Sequence, residues 1–165
     1  MAGRDVLEET AGISVREAAE RDAAAIGAML RELGWFEYLS METPQDTEQR
    51  VRQHIVLCNA DDSHSLYVTE SAGGEVVGYA STHSLPYLFL NGPEGYLSEL
   101  FVREPERGKG IGRRLMEVIE VEARARGCSR LMLVNSRSRE SYRRGFYKEL
   151  GWEEREGVAN FIYRL

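Results

Sequence analysis

The feature that most restricts how this chain can fold is a glycine-rich turn between an apolar strand and a long amphipathic helix. Glycines stand at positions 108, 110 and 112, after the strand pattern of residues 96–104 and before a helical pattern that spans 110–126. Gly127 is placed to end this helix, and a short apolar strand follows at 131–135, whose composition predicts burial on both faces. Strand, helix and strand in this order predict a right-handed parallel crossover.

The remaining segments predict one α/β domain with a mixed sheet over residues 13–165, after a loose tail of residues 1–12. The predicted order of elements is β-α-α-β-β-β-α-β-α-β-β. Outside the crossover, the predicted strands are Ile13–Ala18, Ser65–Ser71, Val76–Ser84, Trp152–Arg155 and Ala159–Leu165. The predicted helices are one that Asp22 caps and that runs to Leu33, one from Thr43-Pro44 to just before Asn59, and Ser138–Leu150.

Composition argues against several classes of protein. No stretch approaches 18 uninterrupted apolar residues, so we expect neither a spanning helix nor a membrane partner. The polar first ten residues lack the apolar core of a secretory signal. Two cysteines, Cys58 and Cys128, do not make a disulfide framework or a zinc site. We therefore expect a cytoplasmic protein.

Charge is distributed unevenly along the chain. The net charge of −6 does not suit general nucleic-acid binding, so no nucleic-acid partner is expected. Residues 103–144, however, hold 12 Lys and Arg against six Asp and Glu. This excess indicates either a local anionic ligand or ordinary solvated helix faces.

The glycine turn has the composition of an anion site. Without Cβ atoms the backbone can bend sharply and approach a ligand closely. Amide groups at the start of a helix lack intrahelical partners, and the helix dipole adds positive charge there, which suits a diphosphate. The predicted binding residues are Arg107, Gly108, Lys109, Gly110, Ile111, Gly112 and Arg113. A Walker loop does not fit the lysine position, and bulky Arg113 and Leu115 do not fit a dinucleotide fingerprint.

A pattern Arg-x-x-Gly-x-Gly does fit, at Arg107, Gly110 and Gly112. A second segment ends in Phe146-Tyr147 and, after three residues, Gly151-Trp152. Together these motifs resemble the GNAT superfamily of acyl-CoA-dependent N-acetyltransferases, and the order of elements over residues 13–165 is similar too. The resemblance implies acetyl-CoA as co-substrate, a homodimer, and central parallel strands that splay apart to admit the pantetheine arm.

The resemblance also implies roles for individual residues. The backbone of Leu100, Phe101 and Val102 would bind pantetheine, and Asn135, Glu140 and Ser141 would line the other wall. Tyr147 stands at the position of the family's general acid. The family often has asparagine and alanine where this chain has Glu140 and Arg143, so the contacts of the second segment can differ here.

The attacking amine must lose a proton, and Glu99 is the predicted general base. His83 is the second candidate, whereas His54 and His64 are interpreted as surface or helix residues. No histidine–carboxylate spacing suggests a metal. One member of an acidic pair found in polyamine acetyltransferases is replaced here by Ser98, so polyamine specificity is not implied.

The acceptor is predicted to bind between the first two helices and the loop of residues 85–95. Aromatic residues available for its pocket are Trp35, Phe36, Tyr38, Tyr87 and Phe89. The acidic remainder of the chain favours a small cationic amine. Two alternatives stay open, namely a non-catalytic acyl-CoA-binding module and a protein lysine or N-terminal acetyltransferase.

Overall fold

The computed structural model describes residues 9–10 and 12–165, and within them six strands form one mixed sheet. The strands are β1 (Glu9–Thr10), β2 (Ile13–Glu17), β3 (His64–Glu70), β4 (Val76–Leu85), β5 (Glu94–Val102) and β6 (Arg130–Leu133). They lie in chain order across the sheet. Neighbours from β1 to β5 are antiparallel, and β5 and β6 are parallel.

The helices are α1 (Ala23–Leu33), α2 (Pro44–Cys58), α3 (Ile111–Ala125), α4 (Glu140–Arg143) and α5 (Phe146–Glu149). The chain divides into two compact units, the first ending at Leu133 and the second spanning Val134–Leu165. α2 begins as its sequence predicts: the Thr43 hydroxyl accepts the Asp46 N–H, and Pro44 occupies the first helical position.

The sheet of the first unit packs helices on both faces. Ile26 and Met29 of α1 and Ile55 of α2 join Leu66, Tyr79 and Phe101 in one buried cluster. On the opposite face α3 approaches the backbone of β4 very closely. A Cβ at Gly78 would lie 2.9 Å from Ile111 and 3.2 Å from Leu115, so glycine lets this helix pack there.

The predicted crossover is present as β5, α3 and β6. Parallel pairing joins Glu94–Leu97 to Arg130–Leu133 and stops there, although β5 continues to Val102. Residues 99–102 therefore pair with β4 on one side, and residues 98–102 have no strand on the other side within the described part of the chain. The mixed sheet and the gap beside β5 confirm the predicted fold class with splayed parallel strands.

Three local predictions are wrong. The helix predicted at Ser138–Leu150 is interrupted at Gly145, whose φ of 73° is left-handed, so two single-turn helices form instead. Asp22 does not cap α1, because its carboxylate accepts the Ala19 N–H and pairs with Arg16. Residues 131–133 are half-buried rather than buried on both faces, since β6 is the edge of the described sheet.

The last two strands of the predicted order are also wrong for the described chain. Neither Trp152–Arg155 nor Ala159–Leu165 forms a strand. Phe161 is 90% exposed and Leu165 is fully exposed, so no packing favours an extended ladder in the final segment. The side chain of Glu154 binds Arg137 and Tyr142 within the second unit instead.

The predicted tail of residues 1–12 lies largely outside the described residues, which omit 1–8 and 11. Its described part contains β1, where Glu9 and Thr10 pair with Ser14 and Ile13. The assignment of residues 13–165 to a single domain stays a prediction.

Candidate active site

The glycine loop presents an uncapped helix start. Gly108 and Gly110 have φ values of 79° and 87°, a left-handed backbone conformation that residues other than glycine rarely adopt. A Cβ at either position would meet no atom within 4 Å, so the space beside the loop is open. Gly110 is the N-cap of α3 and no side chain caps it, and the first turn carries no acidic residue. The amides at this end are therefore available to an anion.

Basic side chains surround the loop. The Arg107 Nε donates a hydrogen bond to the Val102 carbonyl at 3.2 Å, which ties the loop to the end of β5. The Lys109 ammonium lies 3.0 Å from the Glu106 carboxylate, and Arg113 is exposed on the first turn of α3. Counter-charge is thus present, and part of it is balanced by Glu106.

The unpaired side of β5 exposes backbone groups in a defined pattern. The Arg103 N–H donates to the Val77 carbonyl of β4 at 3.0 Å. Because N–H and C=O groups alternate in direction along a strand, those of Phe101 also face β4, and those of Leu100 and Val102 face the open side. An extended amide-bearing ligand can therefore bond Leu100 and Val102 as an added strand would.

These observations test whether acetyl-CoA fits the residues of the first unit. A diphosphate needs exposed amides, open space and positive charge, and the loop supplies all three. A pantetheine arm needs a free strand edge, and β5 supplies it over residues 98–102. The residues fit the co-substrate.

Glu99 lies on the sheet face that α1 and α2 cover. It pairs with Ser81 across β4 and β5, and the next pair on the same face is that of Tyr79 and Phe101. Burial raises the pKa of Glu99 above that of an ordinary glutamate, while the charge of His54 and a hydrogen bond from Tyr79 act to lower it. A half-buried carboxylate with a raised pKa is suited to accept a proton.

The three histidines of the chain interact with one another, and the charge of His54 also acts on Glu99, although His54 and His64 were predicted only as surface or helix residues. The rings of His64 and His83 meet edge to face at 4.7 Å. His83 Nε2 lies 2.8 Å from the Ser98 hydroxyl, and Ser98 donates to the Ser81 carbonyl, so His83 is the donor. Burial, followed by the charges of His64 and His54, lowers the pKa of His83.

The hairpin turn at residues 72–75 indicates the neighbourhood of His64 but not its partner. Extension of the Glu70–Val76 register would place His64 opposite Thr82, and a register shift between Thr69 and Glu70 pairs it with His83 instead. His54 comes from α2, where its Nε2 contacts the Cys58 Sγ at 3.5 Å. No local pattern indicates which residue of the sheet lies beneath that helix.

The predicted acceptor residues separate into two groups, one formed by Trp35, Phe36 and Tyr38, whose ring lies 6.3 Å from that of Phe36, and one formed by Tyr87 and Phe89. The Trp35 and Phe36 rings meet the Phe101 ring at centroid distances of 5.8 and 6.2 Å, on the face that carries Glu99. Tyr87 and Phe89 contact each other at 5.1 Å in the exposed loop between β4 and β5. Tyr38 lies beneath the guanidinium of Arg50, which also pairs with Glu42.

The second unit contains the remaining predicted residues. The Asn135 amide donates to the Ser141 hydroxyl at 3.2 Å, and Glu140 begins α4 with an exposed side chain. Tyr147 is half-buried in α5, with its ring 4.9 Å from Phe146 and 6.0 Å from Trp152. Burial raises the pKa of Tyr147 to about 12, so its phenol is neutral at physiological pH.

Comparison of the sequence with known protein families identifies the family of this chain. The profile of the family described as acetyltransferase (GNAT) matches residues 27–152. The chain is a member of the GNAT acetyltransferase family. As a GNAT protein it is an acyltransferase, and the family uses acetyl-CoA, in agreement with the fit of the loop and the strand edge.

Two curated acetyltransferases and one solved structure resemble it along most of their length. It is 29% identical to the aminoglycoside N(6′)-acetyltransferase type 1 of Stenotrophomonas maltophilia, over 90% of this chain and 91% of that protein. It is 30% identical to the L-methionine sulfoximine/L-methionine sulfone acetyltransferase of Pseudomonas paraeruginosa, over 85% of this chain and 80% of that protein. The crystal structure of a transcriptional regulator from Bacillus halodurans C-125 shares the fold, with a TM-score of 0.77 and 23% identity. The match covers 93% of this chain and 99% of that protein.

Two further observations concern this GNAT chain. Among the described residues, no three His, Cys, Asp or Glu side chains gather in a way that could hold a metal ion. In the same part of the chain, no helix has both the length and the apolar character required to cross a membrane.

Proposed function

We propose that the protein transfers an acetyl group from acetyl-CoA directly to a primary amine, with a small cationic amine as acceptor. One observation carries the proposal: the free edge of β5 leads within a few residues to the uncapped start of α3. A strand edge and an anion site joined in this way match a ligand that has an extended amide arm and a diphosphate.

Different residues of the chain bind the diphosphate and the pantetheine arm of the co-substrate. The amides of residues 108–112 hold the diphosphate, and Arg107, Lys109 and Arg113 supply counter-charge. Leu100 and Val102 form hydrogen bonds to the pantetheine amides through their backbone. The backbone groups of Phe101 face β4, so they are not available to this ligand. The family resemblance adds Asn135, Glu140 and Ser141.

Acetyl-CoA supplies an activated thioester when it is bound. Glu99 accepts the proton of the attacking amine, directly or through a water molecule. Its raised pKa means that activity should rise with pH through a limb that lies above the ordinary glutamate range, because only the ionised carboxylate is a base. Tyr147 donates a proton to the departing sulfur, a role that its family position and its neutral phenol support.

Several observations favour a cationic acceptor. Glu99 provides a carboxylate beside the Phe101 ring, and the rings of Trp35 and Phe36 contact Phe101. Carboxylates and aromatic faces both attract ammonium groups. The aminoglycoside acetyltransferase relative acts on a cationic amine, whereas the methionine sulfoximine relative acts on an amino-acid derivative, so both classes belong in a test.

The test is an amine panel followed by release of free thiol from acetyl-CoA. The panel contains aminoglycosides, diamino acids, methionine sulfoximine, lysine-containing peptides and peptides with free N-termini. We expect thiol release with a small cationic amine at a kcat/KM at least about tenfold above that for the peptides. Preference for a peptide would favour a protein acetyltransferase. Binding of acetyl-CoA without release from any amine would favour a non-catalytic module.

The homodimer and the cytoplasmic location expected from the sequence stay predictions.

A further inference from the structure

Tyr79 lies on the sheet face that carries the proposed base, and packing fixes its ring. It is 3% exposed, and its ring stacks on Phe101 with centroids 6.4 Å apart and an interplanar angle of 19°. Tyr79 and Phe101 face each other across β4 and β5, two pairs along from Ser81 and Glu99 and therefore on the same face of the sheet. A tyrosine is long enough to reach its diagonal neighbour on the same face, which here is Glu99.

The polar neighbours of the Tyr79 hydroxyl support that direction. Its electrostatic partners include Glu99 and Ser81, and Ser81 is fully buried. The Ser81 hydroxyl makes no hydrogen bond of standard geometry to any described residue. A buried phenol is normally hydrogen-bonded, and a carboxylate is the strongest acceptor in this cluster.

The other titratable groups that face Glu99 come from α2. They are His54 and Cys58, which contact each other. Burial raises the pKa of Tyr79 well above its ordinary value, with Glu99 as a further cause, so the phenol keeps its proton at any pH where Glu99 titrates. Tyr79 can therefore donate a hydrogen bond throughout the catalytic range but cannot itself take the amine's proton.

We propose that Tyr79 is a positioning residue, which donates a hydrogen bond to the Glu99 carboxylate and holds it ionised and oriented as the general base. The inference rests on the proposed function, because Tyr79 acts only through Glu99. In the proposed step, the amine proton passes to a Glu99 oxygen while Tyr79 retains its own proton. Tyr79 thus opposes the effect of burial, which otherwise favours the neutral acid.

The test is Tyr79→Phe, which removes the hydroxyl and keeps the ring that stacks on Phe101. We expect the acid limb of kcat/KM for the amine to move to higher pH, since loss of a donor to the carboxylate favours its neutral form. On the acid side of the limb, kcat/KM should fall by about three- to tenfold, and the difference should vanish above the limb. The KM for acetyl-CoA should not change.

A second readout does not depend on turnover. In protein labelled with ¹³C at glutamate carboxyls, the Glu99 signal is assigned from its absence in Glu99→Gln and titrated in the free protein. In Tyr79→Phe its midpoint should move to higher pH, in parallel with the activity limb. The matched control is Tyr67→Phe, which removes another buried tyrosine hydroxyl from the opposite face of the sheet, since Tyr67 pairs with Ala80.

The outcomes separate this inference from the proposed function. A Glu99 midpoint that does not move in Tyr79→Phe, or moves equally in Tyr67→Phe, overturns the role of Tyr79 whatever the enzyme's substrate. An activity limb that survives in Glu99→Gln shows instead that the proposed base is wrong, and the catalytic part of the inference fails with it. Melting curves of both tyrosine variants establish that they are folded.

Discussion

Replacement of Gly110 by glutamate is expected to weaken acetyl-CoA binding at least about 100-fold. Gly110 has a φ of 87°, which costs other residues roughly 1–3 kcal/mol, so the loop is forced out of its native shape. The new carboxylate also stands among the amides that would bind the diphosphate, and it repels that anion. Calorimetric titration of the purified variant with acetyl-CoA measures the loss.

The control for this variant is Gly74→Glu. Gly74 has a φ of 78° in the turn between β3 and β4, and a Cβ there would meet no atom within 4 Å. It therefore places the same charge and a similar backbone strain away from the loop. Near wild-type affinity in Gly110→Glu, or an equal loss in Gly74→Glu, would show that the diphosphate binds elsewhere.

The second large effect is expected for Tyr147→Phe, which should lower kcat by roughly 100-fold or more while the affinity for acetyl-CoA stays within about twofold. The substitution removes the phenolic proton that we assign to the departing sulfur, and it keeps the ring that contacts Phe146 and Trp152. Because burial raises the pKa of Tyr147 to about 12, the phenol is protonated throughout the assay range. Steady-state kinetics with the best amine of the panel, together with calorimetry, separate the two quantities.

Tyr163→Phe serves as the control for Tyr147→Phe. Tyr163 is 88% exposed in the same unit, so loss of its hydroxyl should leave kcat unchanged. Wild-type turnover in Tyr147→Phe would remove this tyrosine from the mechanism. A similar fall in acetyl-CoA affinity and in kcat would instead assign it to co-substrate binding.

The parts of the fold that local chemistry determines could be predicted from the sequence. The cap at Thr43, the hairpin at residues 72–75 and the start of α3 at Gly110 each depend on a few adjacent residues. The gap beside β5 required the family resemblance, because no local signal shows where two parallel strands part.

The predictions that proved wrong concern segments whose structure depends on contacts distant in sequence or on competing local effects. A helical pattern spans Ser138–Leu150, but the left-handed conformation of Gly145 interrupts it. The final segment alternates apolar residues as a strand would, yet a strand needs a neighbouring ladder. Glu99 and His83 were selected from the sequence, whereas Tyr79 and His54 were not, because their proximity to Glu99 depends on sheet register and helix packing.

The central claim is that exposed amides of the glycine loop bind the diphosphate of acetyl-CoA. The most direct measurement is an amide ¹H–¹⁵N NMR titration of the wild-type protein with coenzyme A. We predict that the N–H signals of residues 108–113 shift most, and that in Gly110→Glu they do not respond at the same concentrations. If these signals stay unmoved while coenzyme A saturates the protein and shifts other amides, the claim is contradicted.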